Sequence, residues 1–281
     1  MAKMAEHPLS GQPYPAPASR GLAHQLRLFF IALQFFTRLP IPRWVGFHPD
    51  WLQRCTRYFP LVGWIVAWVT ALVYVLAAQF WPQAVAVLLS VAAGIWLTGA
   101  FHEDGFADVC DGLGGGISRE RALDIMRDSR VGAYGAIGIA MLLALKLVAL
   151  NAMLPLQLLA ALGIAHPLSR WLATCLIWRM DYVREEGKAK PLAQHMKGGE
   201  FLLATVFAVL PVIGVAYWGL MSWQRIAAGL ILAVVATAWL ARKFSRRLGG
   251  YTGDCLGAVQ QLSETAFYLG ALAVAPGFIG N

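Results

Sequence analysis

Gly99-Ala-Phe-His-Glu-Asp-Gly-Phe-Ala-Asp-Val-Cys-Asp-Gly-Leu-Gly-Gly-Gly116 follows directly on an apolar run that ends near Thr98. Within it, Asp104, Asp108 and Asp111 recur at i, i+4 and i+7. At about 100° per residue on a helix, the three carboxylates fall within a sector of roughly 60°. Three like charges on one face repel unless a cation sits among them. Hard oxygen ligands favour magnesium, manganese or calcium over zinc, and magnesium completes its shell with waters and substrate phosphate oxygens. The stretch reads as a metal-assisted phosphoryl site at the end of a membrane helix. A solvated acidic helix end is the plainer alternative.

The rest of the chain supplies the membrane. Of 281 residues, 58% are hydrophobic and only 14% charged. A soluble domain carries about 25% charged residues, so a polytopic membrane protein is indicated. Apolar segments at about 59–79, 83–101, 133–152, 155–178, 201–219, 225–241 and 265–279 predict about seven transmembrane helices in an all-α fold. Residues 24–39 are apolar but short and carry Arg27, Gln34 and Arg38. They predict an N-terminal interfacial or re-entrant helix, stopped by Pro40 and Pro42. Residues 1–22 read as a disordered tail with no cleavable signal peptide, and residues 23–281 as one helical membrane domain.

The net charge is +8. With a cytoplasmic N-terminus, about 20 of the 23 Lys and Arg fall in cytoplasmic segments. The positive charge therefore sets orientation, and nucleic acid is not a partner. The loops that carry chemistry share the cytoplasmic side in this topology. Cys55, Cys110, Cys175 and Cys255 are scattered, with neither a disulfide framework nor a zinc pattern.

Two further stretches join the acidic one. Ser118 to Gly135 offers an N-cap at Ser118, then Asp124, Asp128, Arg127 and Arg130. Carboxylates for a metal and guanidinium groups for phosphate oxygens suit one site, although a surface helix with ordinary ion pairs has the same composition. Arg246 to Glu264 is glycine-rich up to Gly253, whose exposed backbone suits phosphate, and Asp254 opens a helix with Gln261 and Glu264 on roughly its face. His166 and Arg170 lie inside an apolar segment, where an ionisable group usually faces a polar cavity. Lys146 sits nearer the outer face of its segment and can snorkel. Arg184, Lys188, Lys190, His195 and Lys197 form a basic loop that solvated, positive-inside residues explain cheaply; contact with an anionic substrate is the sharper alternative.

Four stretches together resemble the cobalamin synthase family, the adenosylcobinamide-GDP ribazoletransferases. They are Phe35-Phe-Thr-Arg-Leu-Pro-Ile-Pro42, His102 to Gly112, Ile125 to Gly135, and Thr252-Gly-Asp-Cys-Leu-Gly-Ala258 with Glu264. The resemblance covers about residues 24–270. It implies a multi-pass enzyme of the bacterial inner membrane, acting late in cobalamin biosynthesis. Such enzymes use Mg2+ to join alpha-ribazole, or its 5'-phosphate, to adenosylcobinamide-GDP, releasing GMP. Asp104, Asp108 and Asp111 would hold the metal. Asp108, Asp128, Asp254 and His102 are the candidates for the chemical step. Arg127, Arg130, Gly253, Arg170 and Glu264 would bind substrate. Glu103 lies about 100° off the acidic face and is not counted as a ligand. Assembly into a homo-oligomer is left open.

Two other classes compete. A CDP-alcohol phosphotransferase also uses membrane-surface aspartates, but Asp104-Gly-Phe-Ala-Asp108 lacks the arginine of that motif and has shorter spacing. A transporter would place its acidic groups near the bilayer midplane rather than at the end of an apolar run.

Overall fold

The structure, a computed structural model, describes residues 21–46, 48–184 and 196–273. The proposed tail up to residue 20, the basic-loop residues Lys188, Lys190 and His195, and residues 274–279 of the last apolar segment lie outside them.

Eleven α-helices follow one another among the described residues: α1 Leu22–Phe36, α2 Pro49–Arg54, α3 Phe59–Ala77, α4 Gln83–Thr98, α5 Phe101–Gly115, α6 Arg119–Ile125, α7 Ala133–Asn151, α8 Pro155–Arg179, α9 Gly198–Tyr217, α10 Trp223–Leu248 and α11 Gly253–Ala273. There is no strand among them, only an isolated parallel bridge between Tyr182 and Tyr251. The all-α, polytopic reading holds.

Among the described residues, five helices are long and apolar enough to cross a membrane: the α2–α3 run, α7, α8, α9 and α10. A sixth crossing exists if α4 and α5 count as one span. The sequence led us to expect about seven, and the difference has two causes. α4 has only 16 residues before the chain bends by 88° into α5. α11 starts well ahead of the segment at 265 and carries Asp254, Gln260, Gln261 and Glu264, so it is too polar to pass the same test.

The helices sort by what their surfaces meet. α8 and α11 run through the centre, buried on nearly every face. α7, α9 and α10 flank them and expose Ile137, Met141, Val206, Ile213, Ile231 and Trp239. Apolar side chains facing outward suit hydrocarbon, not water. α1 has 15 residues, a rise of about 22 Å, too short to span. It packs against α3 and ends at Thr37, ahead of the two prolines.

The corner between α4 and α5 sets the direction of the acidic helix. Gly99 and Ala100 both take left-handed backbone, with φ of 67° and 58°. Glycine does this freely, and an alanine there is costly. The Arg38 N–H donates to the Leu97 carbonyl at 2.8 Å, bracing the corner from the end of α1.

Candidate active site

α5 is helical from Phe101 to Gly115, so Asp104, Asp108 and Asp111 do share one helix. α5 crosses the first turn of α11 at Gly105. A Cβ at Gly105 would lie 3.0 Å from both Cα and O of Asp254. The missing side chain lets the helices meet this closely, and Asp254 arrives beside Asp104 and Asp108.

The carboxylates register one another's charge. Asp108 is pushed up to about 7, first by burial, then by Asp254 and Asp104. Burial also raises Asp254, while Arg184 pulls it back down. Arg184 Nη2 donates to Asp254 Oδ2 at 2.7 Å and to the Met126 carbonyl at 3.2 Å. The bridge between Tyr182 and Tyr251 holds Arg184 there: the Val183 N–H donates to Tyr251 O at 3.0 Å, and the Tyr251 N–H to Asp181 O at 2.9 Å. In the sequence, nothing sets Arg184 apart from the other basic residues of its loop. Its signal is a three-dimensional pairing with a segment far along the chain.

Asp111 has a second task. Its Oδ2 accepts from the Gly132 N–H at 2.7 Å and its Oδ1 from the Gly135 N–H at 2.8 Å. Gly132 is the N-cap of α7, so a carboxylate on α5 caps a neighbouring helix and meets the positive end of its dipole. Each oxygen keeps a second lone pair.

Asp128 and Arg130 stay with each other. Arg130 Nε and Nη2 grip Asp128 in a fork, with the shortest contact 2.7 Å, on an exposed turn. The arginine's hydrogen bonds hold the Asp128 carboxyl down at about 2. Asp128 answers to Arg130 and Arg121 rather than to the α5 carboxylates. Arg127 lies on the cluster's side, since Tyr182 feels Arg184, Asp254 and Arg127 together. Gly253 is the first residue of α11, directly ahead of Asp254.

His102, Arg170 and Glu264 belong to a different layer. Ten residues separate Asp254 from Glu264, a rise of about 15 Å. Glu264 accepts from Gln260 at 2.6 Å and from Lys146 at 2.9 Å, and His166 Nδ1 stands 3.1 Å from it. Gln261 accepts from Lys146 at 2.8 Å and donates to Glu103 at 2.8 Å. Arg170 donates to the His166 carbonyl at 3.0 Å, and His102 stacks on Phe36. Lys146 does not snorkel. It turns inward, because Glu264 and Gln261 on the central helix supply a carboxylate and an amide oxygen. Glu103, off the acidic face as expected, is likewise buried in this inner network.

Among the described residues, no three His, Cys, Asp or Glu side chains form a ready-made metal cage. Magnesium rarely uses one: it takes one or two carboxylates and leaves the remaining positions to water and phosphate. Asp104, Asp108 and Asp254 fit that demand. They are hard oxygen donors set close enough for Asp108 to hold its proton to about 7 without a cation.

Fold and site together define a polytopic α-helical membrane protein with a carboxylate cluster where two helices cross. The cobalamin-5-phosphate synthase family model matches residues 28–272, and the chain belongs to that family. It is 52% identical to the adenosylcobinamide-GDP ribazoletransferase of Leptothrix cholodnii, over 90% of this chain and 97% of that one. It is 48% identical to the same-named protein of Ralstonia pickettii, over 90% and 97%, and 45% identical to that of Shewanella woodyi, over 88% and 96%. No solved structure matches the chain. Neither the phosphotransferase alternative nor the transporter is favoured by these relatives.

Proposed function

We propose that this chain transfers the adenosylcobinamide phosphoryl group of adenosylcobinamide-GDP to a ribose hydroxyl of alpha-ribazole or its 5'-phosphate. Membership of a family whose relatives carry that transferase name supports the reading. The observation that carries the chemistry is the meeting of Asp104, Asp108 and Asp254 across Gly105.

Asp104, Asp108 and Asp254 would hold Mg2+, with Asp111 beside them. When bound, the metal neutralises charge on the phosphoryl oxygens and the departing GMP. Arg184 and Arg127 supply guanidinium groups for oxygens beyond the metal's reach. The ribose hydroxyl attacks phosphorus, its O–P bond forms, and the bond to the GMP oxygen breaks. The hydroxyl proton passes to a cluster carboxylate.

The cluster faces the cytoplasm of a bacterial inner membrane in this reading. Arg119, Arg121, Arg242, Arg246 and Arg247 accompany its end of the bundle, as the positive-inside rule requires. The turns joining α3 to α4 and α9 to α10 instead expose Phe80, Trp81, Tyr217, Trp218 and Trp223, an aromatic belt.

The test is turnover by purified protein in detergent, given magnesium, adenosylcobinamide-GDP and alpha-ribazole. GMP and a ribazole-bearing corrinoid should appear in equal amounts. Absence of both, with a monodisperse and folded protein, overturns the reading.

A further inference from the structure

A second cavity lies against the same helix crossing. Phe35 and Phe36 of α1, Phe59 of α3 and Phe101 of α5 line it, with Ala173 of α8 and Leu256 of α11. Phe36 meets Phe59 edge to face at 4.4 Å and lies parallel to the His102 ring at 5.3 Å. Gly253 forms part of the wall, so the cavity comes within one residue of Asp254.

Three polar side chains also line this slot: Gln260, already bonded to Ser169 and Glu264, His102, stacked on Phe36, and Arg170. Arg170 is buried, at 2% exposure, and lines the slot as well as the polar cavity beside Glu264. Its Nη1 donates to the His166 carbonyl, but its Nε has no partner. A buried donor without an acceptor costs about 1–3 kcal/mol, so something that accepts a hydrogen bond belongs there.

These features select a ligand. Aromatic walls suit a flat ring system by offset stacking and edge contacts. A guanine base would bring several polar edges to walls that are mostly phenyl and aliphatic, where Gln260 is already committed to Ser169 and Glu264. An acyl chain would fill the slot but give Arg170 no acceptor. A benzimidazole attached to a sugar through one nitrogen is flat and apolar, and keeps a single acceptor, its other ring nitrogen.

We propose that this slot binds the benzimidazole base of the ribazole substrate, with Arg170 Nε donating to the free ring nitrogen. The proposal rests on the transferase reading. With the base between the phenyl rings, the ribose leaves past Gly253 and brings its hydroxyl to the carboxylates at Asp254. The cavity is about 30 Å³, narrow for two fused rings. Admitting the base therefore requires Phe36 and Phe59 to part.

The experiment uses the full-length protein with magnesium and measures KM separately for alpha-ribazole and adenosylcobinamide-GDP. Ala173→Phe fills the slot, and Arg170→Met removes the donor at similar length. Each should raise the ribazole KM about tenfold or more, as pocket changes of this size do, and leave the corrinoid KM within about twofold. Free benzimidazole should inhibit the unaltered protein competitively against ribazole. A ribazole KM within about twofold of wild type in folded Ala173→Phe overturns the proposal, as do equal shifts in both KM values. Should neither variant fold, the inhibition pattern decides: absent or non-competitive inhibition overturns it too. A wild-type protein that releases no GMP sinks the transferase reading instead, so the two failures are told apart.

Discussion

The first turn and the middle of α11 both gather ionisable side chains, and they do opposite things with them. At its first turn, Asp254 meets Asp104 and Asp108, with Arg184 the cation bonded to Asp254. The charge there is unbalanced, and Asp108 responds by holding its proton to about 7. Ten residues on, Glu264 is matched: Lys146 and Gln260 donate to it, and His166 lies against it. A balanced buried network holds helices in register. An unbalanced cluster at a crossing is strained until a cation arrives.

Asp108→Asn is the hardest blow to the first region. It should lower turnover by about 10³-fold, since it removes a carboxylate from the metal and from the proton's path. GMP release measures it, and near-normal activity would refute the role. The same change should spare the fold. Glu264→Gln should do the reverse, costing about 3–5 kcal/mol of stability by leaving Lys146 buried without its counter-charge. Thermal unfolding in detergent tests this, and adding Lys146→Met should recover part of the loss. If Asp108→Asn unfolds the protein and Glu264→Gln does not, the comparison is inverted.

The third prediction concerns pH. The folded value of Asp108, about 7, lies above the ordinary carboxylate value, so ionising it opposes the metal-free fold. That penalty is absent in acid, grows as pH rises past about 4, and is complete above about 7. Metal-free Asp108→Asn should therefore melt above wild type at about pH 8 and level with it near pH 4. Magnesium binding, which needs the ionised form, should tighten across the same window in wild type. A flat profile would detach Asp108 from the metal. The smallest effect is expected at Arg130→Ala. Its pair with Asp128 is solvent-exposed, so the melting temperature should not move measurably.

The acidic helix was legible because its logic is local. Asp104, Asp108 and Asp111 declare their common face by spacing alone, and Ser118 declares a cap that the Arg121 N–H does use, at 3.1 Å. The sharp turn at Gly99–Ala100 was hidden, because the apolar segment assigned to about 83–101 includes it and hydropathy carries no angle. Pairings between distant helices were hidden for a different reason. Lys146 finds Glu264, and Arg184 finds Asp254, only after the bundle has assembled. Asp111 as the cap of α7 belongs with them, since a cap from another helix leaves no trace in the capped segment.

The corner at Gly99 and Ala100 also works as an index mark. It fixes where α5 begins, and hence which compass direction each later side chain takes. One residue inserted between Ala100 and Asp104 would swing the carboxylates by about 100° around the helix axis, away from Asp254. Length at this corner is therefore as constrained as chemistry, and indels here should be tolerated worse than most point substitutions in the apolar helices.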